Sequence, residues 1–144
     1  MKKSMRRLTP LAIILGALLV ANPSPAQNAN SFDGKWLTTL SCENYRDALG
    51  FSFQIPATVK DGAFHGVHGT EGEPGSLVID GTIAPDGKAT FYAKGRTGSK
   101  EYVPGRDTPR GTEYGYNINA RFYGAAGSGT RVEGRPCTFK FAKQ

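Results

Sequence analysis

Two stretches of this chain alternate strictly between apolar and polar residues, and that period constrains the fold more than any other feature. In Phe51–Lys60 the odd positions are Phe51, Phe53, Ile55, Ala57 and Val59, and the even positions are Ser52, Gln54, Pro56, Thr58 and Lys60. In Tyr114–Tyr123 the even positions are Tyr114, Tyr116, Ile118, Ala120 and Phe122, and the odd ones include Asn117, Asn119 and Arg121. Successive side chains of a β-strand point to opposite faces, so each stretch reads as a strand with one buried and one wet face. No stretch after residue 30 keeps a helical period. Alternation broken by turn residues predicts an all-β antiparallel meander.

The turns set the register. Asp61-Gly62 is a two-residue hairpin signal. It pairs Lys60 with Ala63, Val59 with Phe64, Ala57 with Gly66 and Ile55 with His68, which puts apolar residues together. Pro85-Asp86-Gly87 fits a three-residue loop with proline at the first corner and Gly87 left-handed. That loop pairs Ile83 with Ala89, Gly81 with Phe91 and Ile79 with Ala93. Eight strands are expected, at roughly 33–41, 50–60, 63–70, 76–84, 88–96, 112–123, 129–134 and 137–142. The seventh, in "GSGTRVEG", has a rival reading as a bulged start of the last strand.

Connections at one end are tight: Asp61-Gly62, Pro85–Gly87 and a Gly/Ala turn at 124–128. Those at the other end, 42–49, 69–75, 97–111 and 134–136, include three longer loops. This second end is termed the mouth. Function tends to sit on such loops, held by a rigid scaffold.

Residues 1–26 read as a secretory signal peptide. Lys2, Lys3, Arg6 and Arg7 form a basic head, Leu11–Val20 an apolar run too short to span a bilayer, and Ser24-Pro25-Ala26 a cleavage site. Arg6-Arg7 also raises twin-arginine export, although the flanking residues fit that signal poorly. No cysteine follows the apolar run, so a lipid anchor is not expected; cleavage would leave no stable membrane anchor, and the alternative is that the apolar run is retained as an anchor. Residues 27–144 then form one domain, periplasmic or secreted. Four of the 18 basic and none of the 12 acidic residues lie in 1–26, leaving 14 against 12 in the domain, a net of +2. The basic pI belongs mostly to the signal and does not indicate nucleic-acid binding.

The chain has two cysteines. Cys42 ends the first strand at the mouth, in phase with Trp36, Thr38 and Leu40. Cys137 begins the last strand at the same end, in phase with Phe139 and Phe141. A Cys42–Cys137 disulfide would fasten first strand to last and close the sheet into a barrel; the alternative is two separate thiols. Export supports oxidation.

Gly34-Lys35-Trp36, on the first strand of an eight-strand meander, resembles the Gly-x-Trp of calycin barrels, the group of lipocalins and avidins. The resemblance implies a tryptophan plugging the closed end, a ligand entering at the other, and a late basic residue packed on the tryptophan, for which Lys140 and Lys143 are near the right place. A looser resemblance is to small periplasmic barrels that inhibit lysozyme, whose Ser-Gly-x-x-Tyr loop motif is absent here.

Catalysis and metal binding find little support. His65 and His68 are three residues apart and so fall on opposite faces of a strand. No serine sits in a nucleophile-elbow context. Glu71 and Glu73 read as a solvated acidic turn, and the glycine-rich "GAAGSG" joins strands without opening a helix. No catalytic residue, cofactor or metal site is assigned.

The expected role is binding at the mouth, through Phe51, Phe53, His68, Tyr114 and Tyr116 below and Arg96, Arg106 and Arg110 on the long loop above. A small ligand with an anionic group, or an acidic protein surface, would suit these residues. The rival is an interaction or inhibitor barrel with a fully packed core, acting through its mouth loops. Eight strands leave an interior that side chains can just fill or one small ligand can occupy.

Overall fold

The computed structural model describes residues 31–144 except Arg106. The signal-peptide reading of residues 1–26 therefore lies outside the described residues. The domain is a closed antiparallel barrel of eight strands in chain order: β1 (Gly34–Cys42), β2 (Phe51–Lys60), β3 (Ala63–His68), β4 (Leu77–Ile83), β5 (Lys88–Arg96), β6 (Glu113–Tyr123), β7 (Ala126–Arg131) and β8 (Cys137–Lys143). β8 returns to β1, and closure leaves no free sheet edge.

The expected registers hold at the tight turns. Val59 pairs with Phe64 and Ala57 with Gly66, while Ile83 pairs with Ala89, Gly81 with Phe91 and Ile79 with Ala93. Asp61 and Gly62 both have positive φ, 51° and 78°, as a two-residue turn matched to strand twist requires. The Asp33 carboxylate caps this turn, accepting the amides of Asp61 at 2.9 Å and Gly62 at 3.2 Å. The other two tight turns are tied to their neighbours, Phe122 N–H donating to Gly87 O and Lys143 N–H to Ala125 O.

Two expectations are corrected. The β2–β3 ladder stops at Ala57–Gly66, so the Ile55–His68 pair does not form, and β3 ends at His68. Thr58 and Lys60 direct their backbone groups to β3; the next residue of that set is Pro56, which has no N–H to donate. β7 lies at Ala126–Arg131, not 129–134, after a two-residue Gly124-Ala125 turn, and is a strand of its own rather than the start of β8. Its inward positions Gly127 and Gly129 carry no side chain, which hides the alternation. A Cβ at Gly127 would fall 2.9 Å from the Phe122 ring, and one at Gly129 2.8 Å from Ala120 Cβ. The barrel has already filled that space from the neighbouring strand.

The closed half is a packed aromatic core. Trp36 is 1% exposed, meets Phe122 edge-on with centroids 5.1 Å apart, and donates its indole N–H to Phe32 O at 2.7 Å. Phe64 stacks on Phe91 at 4.5 Å, and Phe141 packs on Phe122 at 4.7 Å. Ile55, Ile79 and Ile118 form the next layer towards the mouth. Edge-to-face and offset ring contacts of this kind add to simple burial.

Candidate functional site

Above that layer the barrel is not filled. A cavity of about 780 Å³ occupies the mouth half, floored by Leu40 and walled by Phe51 and Phe53 of β2, Tyr114 and Tyr116 of β6, and the Cys42 end of the disulfide. The packed core continues along the inner faces to Leu40, Tyr116, Cys137 and Phe139, and the cavity opens beyond them.

The long connection after β5 folds over this space. Its base continues the β5–β6 pairing, with Thr97 N–H donating to Thr112 O and Gly111 N–H to Thr97 O. A short 3-10 helix, Lys100–Tyr102, then crosses to the β1–β2 loop. There Leu49 N–H donates to Glu101 O at 2.8 Å and Gly105 N–H to the Asp47 carboxylate at 3.0 Å. Tyr102 meets Phe51 edge-on at 6.0 Å.

Arg135 locks the two loops together. It is 4% exposed, and all its hydrogen bonds go to carbonyl oxygens. Nε and Nη2 donate to Glu43 O at 3.0 and 2.7 Å, Nη1 donates to Tyr102 O at 2.8 Å, and Nη2 also reaches Leu49 O. Its guanidinium lies 4.9 Å from the Phe51 ring centroid. Burial, and then the positive charge of Arg131, pull its pKa down.

Arg131 ends β7 on the inward face, its guanidinium carbon 4.1 Å from the Tyr116 ring centroid. Burial pushes the Tyr116 phenol above its ordinary range; Tyr114 adds to this and Arg131 opposes it. Tyr114 is raised by burial too, again against Arg131. At the rim, Glu113 bonds Lys94 at 3.0 Å and lies 3.9 Å from Arg96, and both cations hold its carboxyl below the ordinary value, the Lys94 hydrogen bond most of all.

Of the residues expected at the site, Phe51, Phe53, Arg96, Tyr114 and Tyr116 come together in the cavity wall. His68 is not part of that wall; its ring stacks behind Phe53 at 4.0 Å, with Nδ1 3.4 Å from Gln54 O. Arg110 is exposed outside the wall, and Arg106 lies outside the described residues. His65 bonds Asp80 at 2.6 Å on the outer face, away from His68. Cys42 and Cys137 are bonded.

Sequence reasoning missed Arg131 and Arg135, although parity carried the signal. Arg135 is in phase with Cys137, Phe139 and Phe141, and Arg131 with Gly127 and Gly129 once the turn is placed at Gly124-Ala125. An arginine on the inward phase of a barrel strand is not an ordinary solvated charge.

Fold and site together define a closed eight-stranded meander barrel, fastened by one disulfide, with an open-mouthed cavity at its loop end. No family model, curated protein or solved structure matches this chain.

Proposed function

We propose that this chain is an exported, non-enzymatic binding barrel that holds a small ligand with an apolar body and an anionic group in its mouth cavity. One observation carries the reading: a cavity of about 780 Å³ combines aromatic walls with four arginines, Arg46, Arg96, Arg131 and Arg135, against the single carboxylate of Glu113. That size suits an organic molecule, and sites for such ligands pair apolar walls with a few placed polar groups. The calycin-like reading draws support from Trp36 at the closed end with the cavity opposite, and from Lys143, which pairs with Trp36 in the β1–β8 ladder. A buried disulfide accords with an oxidising compartment.

Native mass spectrometry of protein exported and purified without a tag tests the reading. The expected result is one retained organic anion per chain, lost on denaturation. A bare chain that also gives no saturable binding of any amphiphilic organic anion would overturn it.

A second reading, a protein-contact barrel acting through its rim, is favoured by one feature. Leu49 and Tyr102 are 54% and 41% exposed on the two loops that Arg135 ties together. Such a partner would be lost in Leu49→Asp, which leaves the cavity wall unchanged.

A further inference from the structure

The four arginines of the cavity are not equivalent. Arg135 spends its donors on the carbonyls of Glu43, Leu49 and Tyr102. Arg96 donates to Gly111 O and stands beside Glu113. Arg46 lies over the Tyr45 ring at 5.2 Å, out at the rim. Arg131 alone is both fixed and unspent. Its Nε donates to Glu133 O at 2.6 Å, and its guanidinium carbon lies over the Tyr116 ring. Its two terminal nitrogens have no hydrogen-bond or carboxylate partner among the described residues. The Glu133 carboxylate is not ion-paired with it and accepts the Asn117 amide at 3.0 Å. A guanidinium fork held rigid in a cavity wall is prepared for a planar two-oxygen anion. The charge of Arg135 nearby favours the same occupant.

The ring geometry narrows the apolar part. Phe51 and Phe53 are parallel within 6°, with centroids 5.5 Å apart, and Tyr114 and Tyr116 within 9° at 6.3 Å. The two pairs stand on β2 and β6, four strands apart in a closed ring of eight, and so on opposite walls. Aromatic rings on both sides of the cavity favour an aromatic body over a flexible chain, which would lose rotamer freedom without gaining ring contacts.

From this geometry we infer that the ligand is a flat aromatic carboxylate whose carboxylate sits on the terminal nitrogens of Arg131 and whose ring lies between the Phe51–Phe53 and Tyr114–Tyr116 walls. This rests on the mouth cavity being a ligand site.

Calorimetric titration of the disulfide-bonded protein with naphthalene carboxylate, its neutral primary amide and linear octanoate tests the inference. The carboxylate should bind about tenfold or more tighter than the amide, the scale of a charge-assisted hydrogen-bonded pair, and tighter than octanoate. Arg131→Gln should remove most of the carboxylate's advantage and leave the amide within about twofold. Arg131→Lys should recover only part, since it restores the charge without the fork. Equal binding of carboxylate and amide, or a carboxylate affinity unchanged in Arg131→Gln, would overturn the role of Arg131. Octanoate binding tighter than naphthalene carboxylate would overturn the aromatic class. Both results leave a bound ligand, and so leave the wider reading standing. Failure of all three probes overturns the inference, while the ligand retained in native mass spectrometry decides the cavity reading separately.

Discussion

Cys42 and Cys137 occupy the same rung of the β1–β8 ladder, their Cα atoms 4.1 Å apart, so the disulfide joins first strand to last at the mouth. The link closes a loop spanning 95 positions of sequence. Replacing both cysteines by Ala should lower stability by about 4–5 kcal/mol in the chain-entropy account, measured by denaturant unfolding. The far-ultraviolet spectrum of the folded state should be unchanged, because eight ladders of hydrogen bonds close the barrel without it. In the native protein, alkylation under non-reducing conditions should label no thiol.

Arg135 ties the mouth loops through carbonyls, with no carboxylate partner among the described residues. Arg135→Met should keep much of the packing on Phe51 and lose the tie, at a cost of about 3 kcal/mol for the charged hydrogen bonds. Hydrogen exchange gives the sharper readout. The Leu49 amide, which donates to Glu101 O, and the Gly105 amide, which donates to Asp47, should exchange faster. The Asp61 and Gly62 amides at the closed end should not change.

Thr38 is fully buried on β1, and its hydroxyl has no hydrogen-bond partner among the described residues. Valine has the same shape without the polar group. Thr38→Val should therefore raise stability by about 1 kcal/mol in denaturant unfolding. A loss of stability would show that the hydroxyl is bonded in solution.

Burial raises the Tyr116 pKa above the ordinary tyrosine value of 10.0. The unfolded chain thus loses this proton first as pH rises. Stability from this group is complete below about pH 10 and falls above it, by about 1.4 kcal/mol per pH unit while only the unfolded state is ionised. Tyr116→Phe should flatten that decline in unfolding experiments across the alkaline range. Absorbance titration of the wild type should show two phenols, Tyr114 and Tyr116, ionising later than free tyrosine, and Tyr116→Phe should remove one of them.

Much of the scaffold is written locally. Asp61-Gly62 and Pro85-Asp86-Gly87 encode turns whose length fixes register, and the alternation in Phe51–Lys60 and Tyr114–Tyr123 assigns each side chain to a face. Parity and turn geometry need only neighbouring residues. Meander order, the two unlike ends and the position of Cys42 opposite Cys137 are therefore legible in the amino-acid order itself, while the choice between seven strands and eight is not. β7 escapes that reading because Gly127 and Gly129 carry no pattern; the reason for those glycines, Phe122 and Ala120, lies on another strand.

The cavity is not legible in this way. Whether an eight-strand interior is filled depends on side-chain volumes summed over every strand and on where the long loop comes to rest. The same holds for charge. Arg106, Arg110, Arg131 and Arg135 are alike as letters in a net count. Only closure of the barrel set Arg131 over Tyr116 with its fork unspent, turned Arg135 onto three loop carbonyls and left Arg110 in solvent. Strand phase follows from the sequence because it is a property of the backbone. The surroundings of a charge do not, because they are assembled from residues as far apart as Glu43 and Arg135.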